Sequence, residues 1–97
     1  MSYATTRFDA AEYLKTPEDM ALYLDACFEE DTGDGALVRA ALNDIARAYG
    51  MTQVARETGL GRESLYKALG ANGNPEFATI MKVMKALGLR LHAVPAK

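Results

Sequence analysis

The stretch MTQVARETGLGRESLYKALG, residues 51–70, limits the fold more than any other part of the chain. Residues 52–58 and 62–69 each carry helical spacing, and only Gly59-Leu60-Gly61 separates them. Two short helices joined by a three-residue, Gly-containing turn form a helix-turn-helix unit, with its helices crossing steeply. The residue types fit the demands of that geometry. Thr52 caps the first helix, and Gln53 stands in its first turn, where side chain and N–H groups can face an anion. Ala55 is small where the helices cross, and Gly59 accepts the positive φ of a tight turn. Val54, Thr58, Leu60, Leu65 and Leu69 supply a shared core.

Helical periodicity extends through most of the remaining sequence. Asp9, with Phe8 ahead of it, can cap a short helix over residues 10–15. Thr16-Pro17-Glu18-Asp19 starts a second helix, with a Thr cap, Pro at the first helical position and acids in the first turn. Its apolar stripe is Met20, Tyr23, Leu24, Cys27 and Phe28, where Cys27 reads as a buried residue rather than a reactive thiol. Thr32-Gly33-Asp34-Gly35 breaks the chain, and Asp34 is placed to cap the next helix, residues 36–49. That helix buries Val38, Ala41, Leu42, Ile45, Ala48 and Tyr49, and Gly50 ends it. After the loop Gly70-Ala71-Asn72-Gly73-Asn74, the residues Asn74-Pro75-Glu76 open a last helix. Phe77, Ile80, Met81, Met84 and Leu87 form its stripe, and Gly88 sits at its C-terminal cap. Residues 89–94, LRLHAV, alternate like a short strand. The expected fold is all-α: five to six helices, the helix-turn-helix among them, and one C-terminal strand.

With 97 residues the chain makes one domain. Its content of 49% apolar and 25% charged residues suits a globular protein rather than a disordered one. No apolar run is long enough for a membrane span, the opening residues lack the pattern of a secretory signal, and a single cysteine allows no internal disulfide. A cytoplasmic location is expected. The net charge of −2 argues against nucleic acid as a partner until the chain is divided. Residues 1–38 hold two basic and nine acidic residues, a net of −7; residues 39–97 hold nine basic and four acidic, a net of +5. Opposite halves suggest partners of opposite sign. We divide one compact unit accordingly, into an acidic helical extension over residues 1–35 and a basic helix-turn-helix domain over residues 36–97.

Outward on the second helix of the motif stand Arg62, Glu63, Ser64, Tyr66 and Lys67. A helix entering the major groove presents its N-terminal residues to base edges. Arg62 suits a bidentate contact to guanine, while Tyr66 and Lys67 suit phosphates or thymine methyls. Glu63 can accept from a cytosine amine, or pair with Lys67 four residues on, and the ion pair is the favoured reading. Enzymatic chemistry has no foothold, because no nucleophile–base pair can be assembled around one His and one Cys. His92 has no Cys, His or Asp neighbours at ligand spacing, so no metal and no cofactor is expected.

The segments MTQVARETGLGRESLYKAL, NPEF and ALGL resemble the Xre/Cro-like repressors. FDAAEYLKTPEDMALYLDACFEE and LGLRLHAV narrow the resemblance to addiction-module antidote proteins, HigA-like partners of small RelE-type toxins. It covers the chain from Phe8 to Val94. It implies a lambda-repressor-like fold and an antitoxin that silences a toxin nuclease and represses its own operon, commonly as a dimer on a palindromic operator. Carried over for DNA contact are Gln53, Arg62, Glu63, Ser64, Tyr66 and Lys67, and Thr52 joins them as a candidate DNA-binding residue. Gly61 departs from the pattern, since that helix often begins with Ser or another capping side chain.

An acidic front complements the basic surface expected of an RNA-binding toxin. Tyr13, Glu18, Tyr23, Glu29 and Glu30 are its candidate contacts; the plain alternatives are a solvated acidic face and tyrosines packed in the core. A lone terminal strand must pair with something. Leu89, Leu91 and Ala93 share one of its faces. The favoured partner is the same strand of a second subunit, which would make a two-fold dimer, with the stretch Tyr3 to Phe8 or an edge strand of a toxin as the alternatives. Two other readings remain open: a stand-alone prophage-type regulator, and an interaction module that no longer touches DNA.

Overall fold

Thr16 and Asp19 close the first well-defined helix of the computed structural model, which describes residues 12–96. The Thr16 hydroxyl accepts the Asp19 N–H at 3.1 Å, and the Asp19 carboxylate accepts the Thr16 N–H at 3.3 Å. This reciprocal capping box, with Pro17 next to it, starts α1 (Pro17–Glu30) where the sequence places it. Asp9 and residues 10–11 of the expected short helix lie outside the described residues. Residues 12–13 are helical, and Leu14 then drops into the core.

The described residues form five helices: α1, α2 (Ala36–Tyr49), α3 (Met51–Thr58), α4 (Arg62–Leu69) and α5 (Phe77–Ala86). The all-α class is therefore observed. Helix α1 packs on α2; α2 also packs on α3 and α4, and α3 on α4 and α5. One apolar cluster joins them, running from Leu14, Met20 and Leu24 through Leu42, Ile45 and Val54 to Leu65, Leu69, Val83 and Leu87.

The α1–α2 junction is built differently from the expected Asp34 cap. The N-cap of α2 is Gly35, at φ 81°, which has no side chain to offer. Asp31 supplies the missing acceptors from four residues upstream. One of its oxygens accepts Gly33 and Gly35 N–H at 2.8 and 2.9 Å, and the other accepts Leu37 and Val38 N–H at 2.9 and 3.2 Å. Asp34 takes only the first helical N–H, that of Ala36, at 3.0 Å. The Gly33 and Gly35 bonds, with smaller contributions from Val38 and Leu37, hold the Asp31 carboxyl below its usual range against a partial desolvation. A carboxyl depressed in the folded state stabilises fully above its unfolded pKa, and that stability is lost as pH falls through the folded one. Urea melts below about pH 4 should thus show the native chain losing its margin over Asp31→Asn, with the variant weaker at pH 7. Parallel pH curves for the two proteins would contradict this role.

Three expectations about buried faces need correction. In α1, Phe28 is 47% exposed, and Cys27 is only half-buried against the core. In α2, Tyr49 is exposed, while Ala41, Leu42, Ile45 and Ala46 are buried. Helix α5 begins two residues beyond Pro75, with Glu76 as its N-cap, and its buried stripe is Ile80, Val83, Met84 and Leu87. Phe77, in the first turn, is 69% exposed, and Met81 is exposed too.

Residues 89–96 form no strand; none occurs among the described residues. Alternation alone cannot make one, because a strand needs a hydrogen-bonded neighbour. Instead α5 ends in a Schellman turn. Leu89 N–H donates to Met84 O at 2.9 Å, and Gly88 N–H, at φ 76°, to Lys85 O at 3.0 Å. The turn sends Leu89 back onto the core, and Leu91 follows as a half-buried residue, whereas Ala93 is exposed.

Candidate nucleic-acid interface

Helix α3 ends at Gly59, in the left-handed region at φ 76°, and the Thr58 hydroxyl finishes it by donating to Val54 O at 2.8 Å. The same hydroxyl accepts the Leu60 N–H at 3.2 Å, which holds the turn while Leu60 half-buries against the core. Gly61 then takes the extended conformation of an N-cap without a side-chain bond, and α4 begins at Arg62. Val54, Leu65 and Leu69 are buried as expected, joined by Ala55 and by Met51. Thr52 is not the cap: Gly50 holds that position, and Thr52 is an exposed second residue of α3.

Burying Leu65 and Leu69 turns the other face of α4 outward. Arg62, Glu63, Ser64, Tyr66 and Lys67 are all exposed. The favoured Glu63–Lys67 ion pair is not formed among the described residues. Exposed pairs at this spacing gain only a few tenths of a kcal/mol, which ordering two long side chains readily cancels. Gln53 is less available than its position suggests. Its amide N–H donates to the Glu57 carboxylate, and its carbonyl accepts from Arg56 at 3.3 Å.

Sequence reasoning missed Arg47. It projects from the last turn of α2, and its guanidinium carbon lies 5.3 Å from the centre of the Tyr66 ring. Arg62 lies 5.7 Å from the same centre, and one of its N–H groups reaches the Tyr66 hydroxyl at 3.5 Å. Both distances fall in the cation–π range. Arg47 stands before the motif window, on the face of α2 away from its apolar stripe, so only tertiary packing reveals it.

The acidic candidates lie on or just before α1. Glu18, Glu29 and Glu30 are exposed. Tyr23 is half-buried, and its hydroxyl donates to Asp44 of α2 at 2.7 Å, which commits it to holding the two helices together. Tyr13 is 72% exposed, outside the core that was its alternative place. Leu22, not singled out by the sequence, is 71% exposed, with Glu18, Asp25 and Glu29 as its neighbours at helical spacing. The signal was available: Leu22 falls off the apolar stripe, opposite Met20 and Leu24.

Of the expected dimer residues, Leu89 and Leu91 form an open apolar groove with Met81 and Met84, edged by Lys82, Lys85 and Arg90, and Ala93 is not part of it. No group of His, Cys, Asp and Glu among the described residues could hold a metal ion. No described helix is long and apolar enough to cross a membrane.

No solved structure matches the chain. An uncharacterized protein of Haemophilus influenzae is 54% identical over 83 residues, covering 86% of this chain and 84% of that relative. The family described as "Probable addiction module antidote protein" matches residues 4–95. With nearly the whole chain matched, the protein belongs to this family of addiction module antidotes.

Proposed function

We propose that the chain is an antitoxin that also acts as a sequence-specific DNA-binding repressor of its own operon. In this reading α3 and α4 are a lambda-repressor-like helix-turn-helix of the Xre/Cro type. The observation that carries it is the outer face of α4, where Arg62, Glu63, Ser64, Tyr66 and Lys67 stand exposed on a helix pinned by Leu65 and Leu69. Polar side chains on a firmly seated helix can enter a major groove without first breaking ion pairs of their own. Arg62, at the first position, is the one to address guanine; Lys67 and Tyr66, a turn further on, address phosphate or methyl groups. Glu63, unpaired, is free to accept from a cytosine amine.

The antidote family implies a toxin as the other partner. A small basic toxin of the RelE/HigB, HigA-partnered type fits the acidic outer face of α1, where Leu22 and Tyr13 offer apolar contact among Glu18, Glu29 and Glu30. The protein acts in the cytoplasm as a homodimer, without catalysis of its own. Two copies related by a two-fold axis would place their α4 helices on half-sites about 34 Å apart.

Binding of the purified protein to the DNA upstream of its gene, over a salt series, tests the repressor reading. Arg62→Ala should weaken that binding by about 1–3 kcal/mol and relax the preference for the upstream sequence over a shuffled one. A folded protein that binds neither duplex at low salt is no repressor.

A further inference from the structure

The Arg47–Tyr66–Arg62 cluster joins two helices through one aromatic ring. We propose that it is a clamp for the phosphodiester backbone of duplex DNA, in which Arg47 contacts phosphate and Tyr66 positions both arginines. The proposal rests on the DNA-binding reading of α4 and extends it to a residue outside the helix-turn-helix.

Three observations carry it. The first is convergence: guanidiniums from α2 and α4, fifteen positions apart in the chain, lie 5.3 and 5.7 Å from the centre of one ring. A guanidinium stacked on an aromatic face keeps its N–H edge free, and that edge matches the oxygens of a phosphate. The second is uncompensated charge. Among the described residues neither arginine has a carboxylate partner, and Glu63, next to Arg62 in sequence, pairs with neither. Two cations gathered at a single ring repel each other, and an anion bound to either lowers that cost. The third is access, since Arg47, Arg62 and Tyr66 are all exposed on elements that pack together. A phosphate is the anion that lies beside a groove-bound helix at every base step, so the clamp would hold the backbone flanking the bases that α4 reads.

The roles differ in what they contribute. A contact to phosphate strengthens binding to any duplex, whereas a contact to a base separates one sequence from another. Arg47 therefore belongs to affinity and register, and Arg62 to both. Tyr66 contributes to the clamp through its ring, which both guanidiniums approach.

The test uses the full chain with two duplexes of equal length, the upstream DNA and a shuffled version, each titrated across a salt series. Arg47→Ala should weaken both by the same factor, about tenfold for a lost charged hydrogen bond. The slope of log K against log salt should become shallower by about 0.9, one phosphate contact fewer. Arg47→Lys keeps the charge and should recover most of that slope while losing part of the affinity. Tyr66→Leu should lose about as much as Arg47→Ala, and the two losses should not add in the double variant.

An Arg47→Ala protein with native affinity and native slope overturns the clamp while leaving the repressor reading in place. A loss confined to the upstream duplex, with the slope unchanged, also overturns it, because that is the signature of a base contact. If the native protein binds neither duplex, both readings fall together. Matching thermal melts of the native and variant proteins keep a folding defect from imitating any of these results.

Discussion

Leu65→Ala is expected to remove about 2–5 kcal/mol of folding stability, a large part of the roughly 5–15 kcal/mol that a domain has. Leu65 is fully buried and is the inward anchor of α4, midway along an eight-residue helix. So short a helix does not persist alone; its order comes from packing on α2 and α3. Truncating Leu65 leaves a cavity beneath the helix while its polar face is untouched. The DNA affinity proposed for α4 should then fall as temperature rises, well before bulk unfolding is complete. Urea titration followed by circular dichroism measures the first effect, and an unchanged m-value would show that cooperativity survives. Ser64→Ala, one residue away on the exposed face, should stay within about 0.5 kcal/mol of the native protein. A Leu65→Ala loss as small as that of Ser64→Ala would mean that α4 is not seated as described.

Gly73→Ala is expected to cost about 1–3 kcal/mol or more, although it adds a single methyl group in a loop. A Cβ on Gly73 would lie less than 3 Å from the carbonyl oxygens of Lys67 and Ala68. Both belong to the last turn of α4, and Gly73 N–H is itself bonded to Gly70 O at 2.9 Å, so neither side can yield without undoing the helix end. Arg39 adds a second tie, donating to Ala71 O at 3.0 Å from α2. The informative comparison is Gly59→Ala. That site is open, with no atom within 4 Å, and only its positive φ resists a side chain, for about 1–2 kcal/mol. Thermal melts should rank Gly73→Ala as at least as damaging. Amide shifts should change over residues 67–73 in that variant alone. If Gly73→Ala melts with the native protein, the loop does not pack against α4 as closely as described.

The two short helices were legible because their apolar positions admit one phase only. Val54, Leu65 and Leu69 are separated by polar residues that would be unreasonable in a core. The Thr16 cap was equally plain, since its hydroxyl acts locally, although the return bond to the Asp19 carboxylate was not foreseen. Helix α5 was not. Among ten residues it holds Phe77, Ala78, Ile80, Met81, Val83, Met84 and Ala86, so an apolar stripe can be drawn from Phe77 or from Ile80. Packing on α3 selects the second, and that information lies in another helix. The tail shows the same gap from the other side. Its alternation is real and half-buries Leu89 and Leu91 but not Ala93, while the backbone that would make it a strand has no partner among the described residues. On the candidate site, the α4 residues followed from their own spacing. Arg47 could not, being linked to them only by the crossing of α2 and α4.

Asp31 binds N–H groups within the turn between α1 and α2 and in the first turn of α2, and this makes a splint of what reads in sequence as a break in the chain. A rigid body with acid gathered at one part and base at another has a permanent electric dipole, and a jointed one would not keep it. The molecule measures 36 × 30 × 27 Å, several times the Debye length of about 8 Å in physiological salt. A polyanion therefore exerts no torque on it from afar. Within the last nanometre of approach it draws the basic part inward and pushes α1 outward, so collisions made in the wrong orientation are turned before they separate.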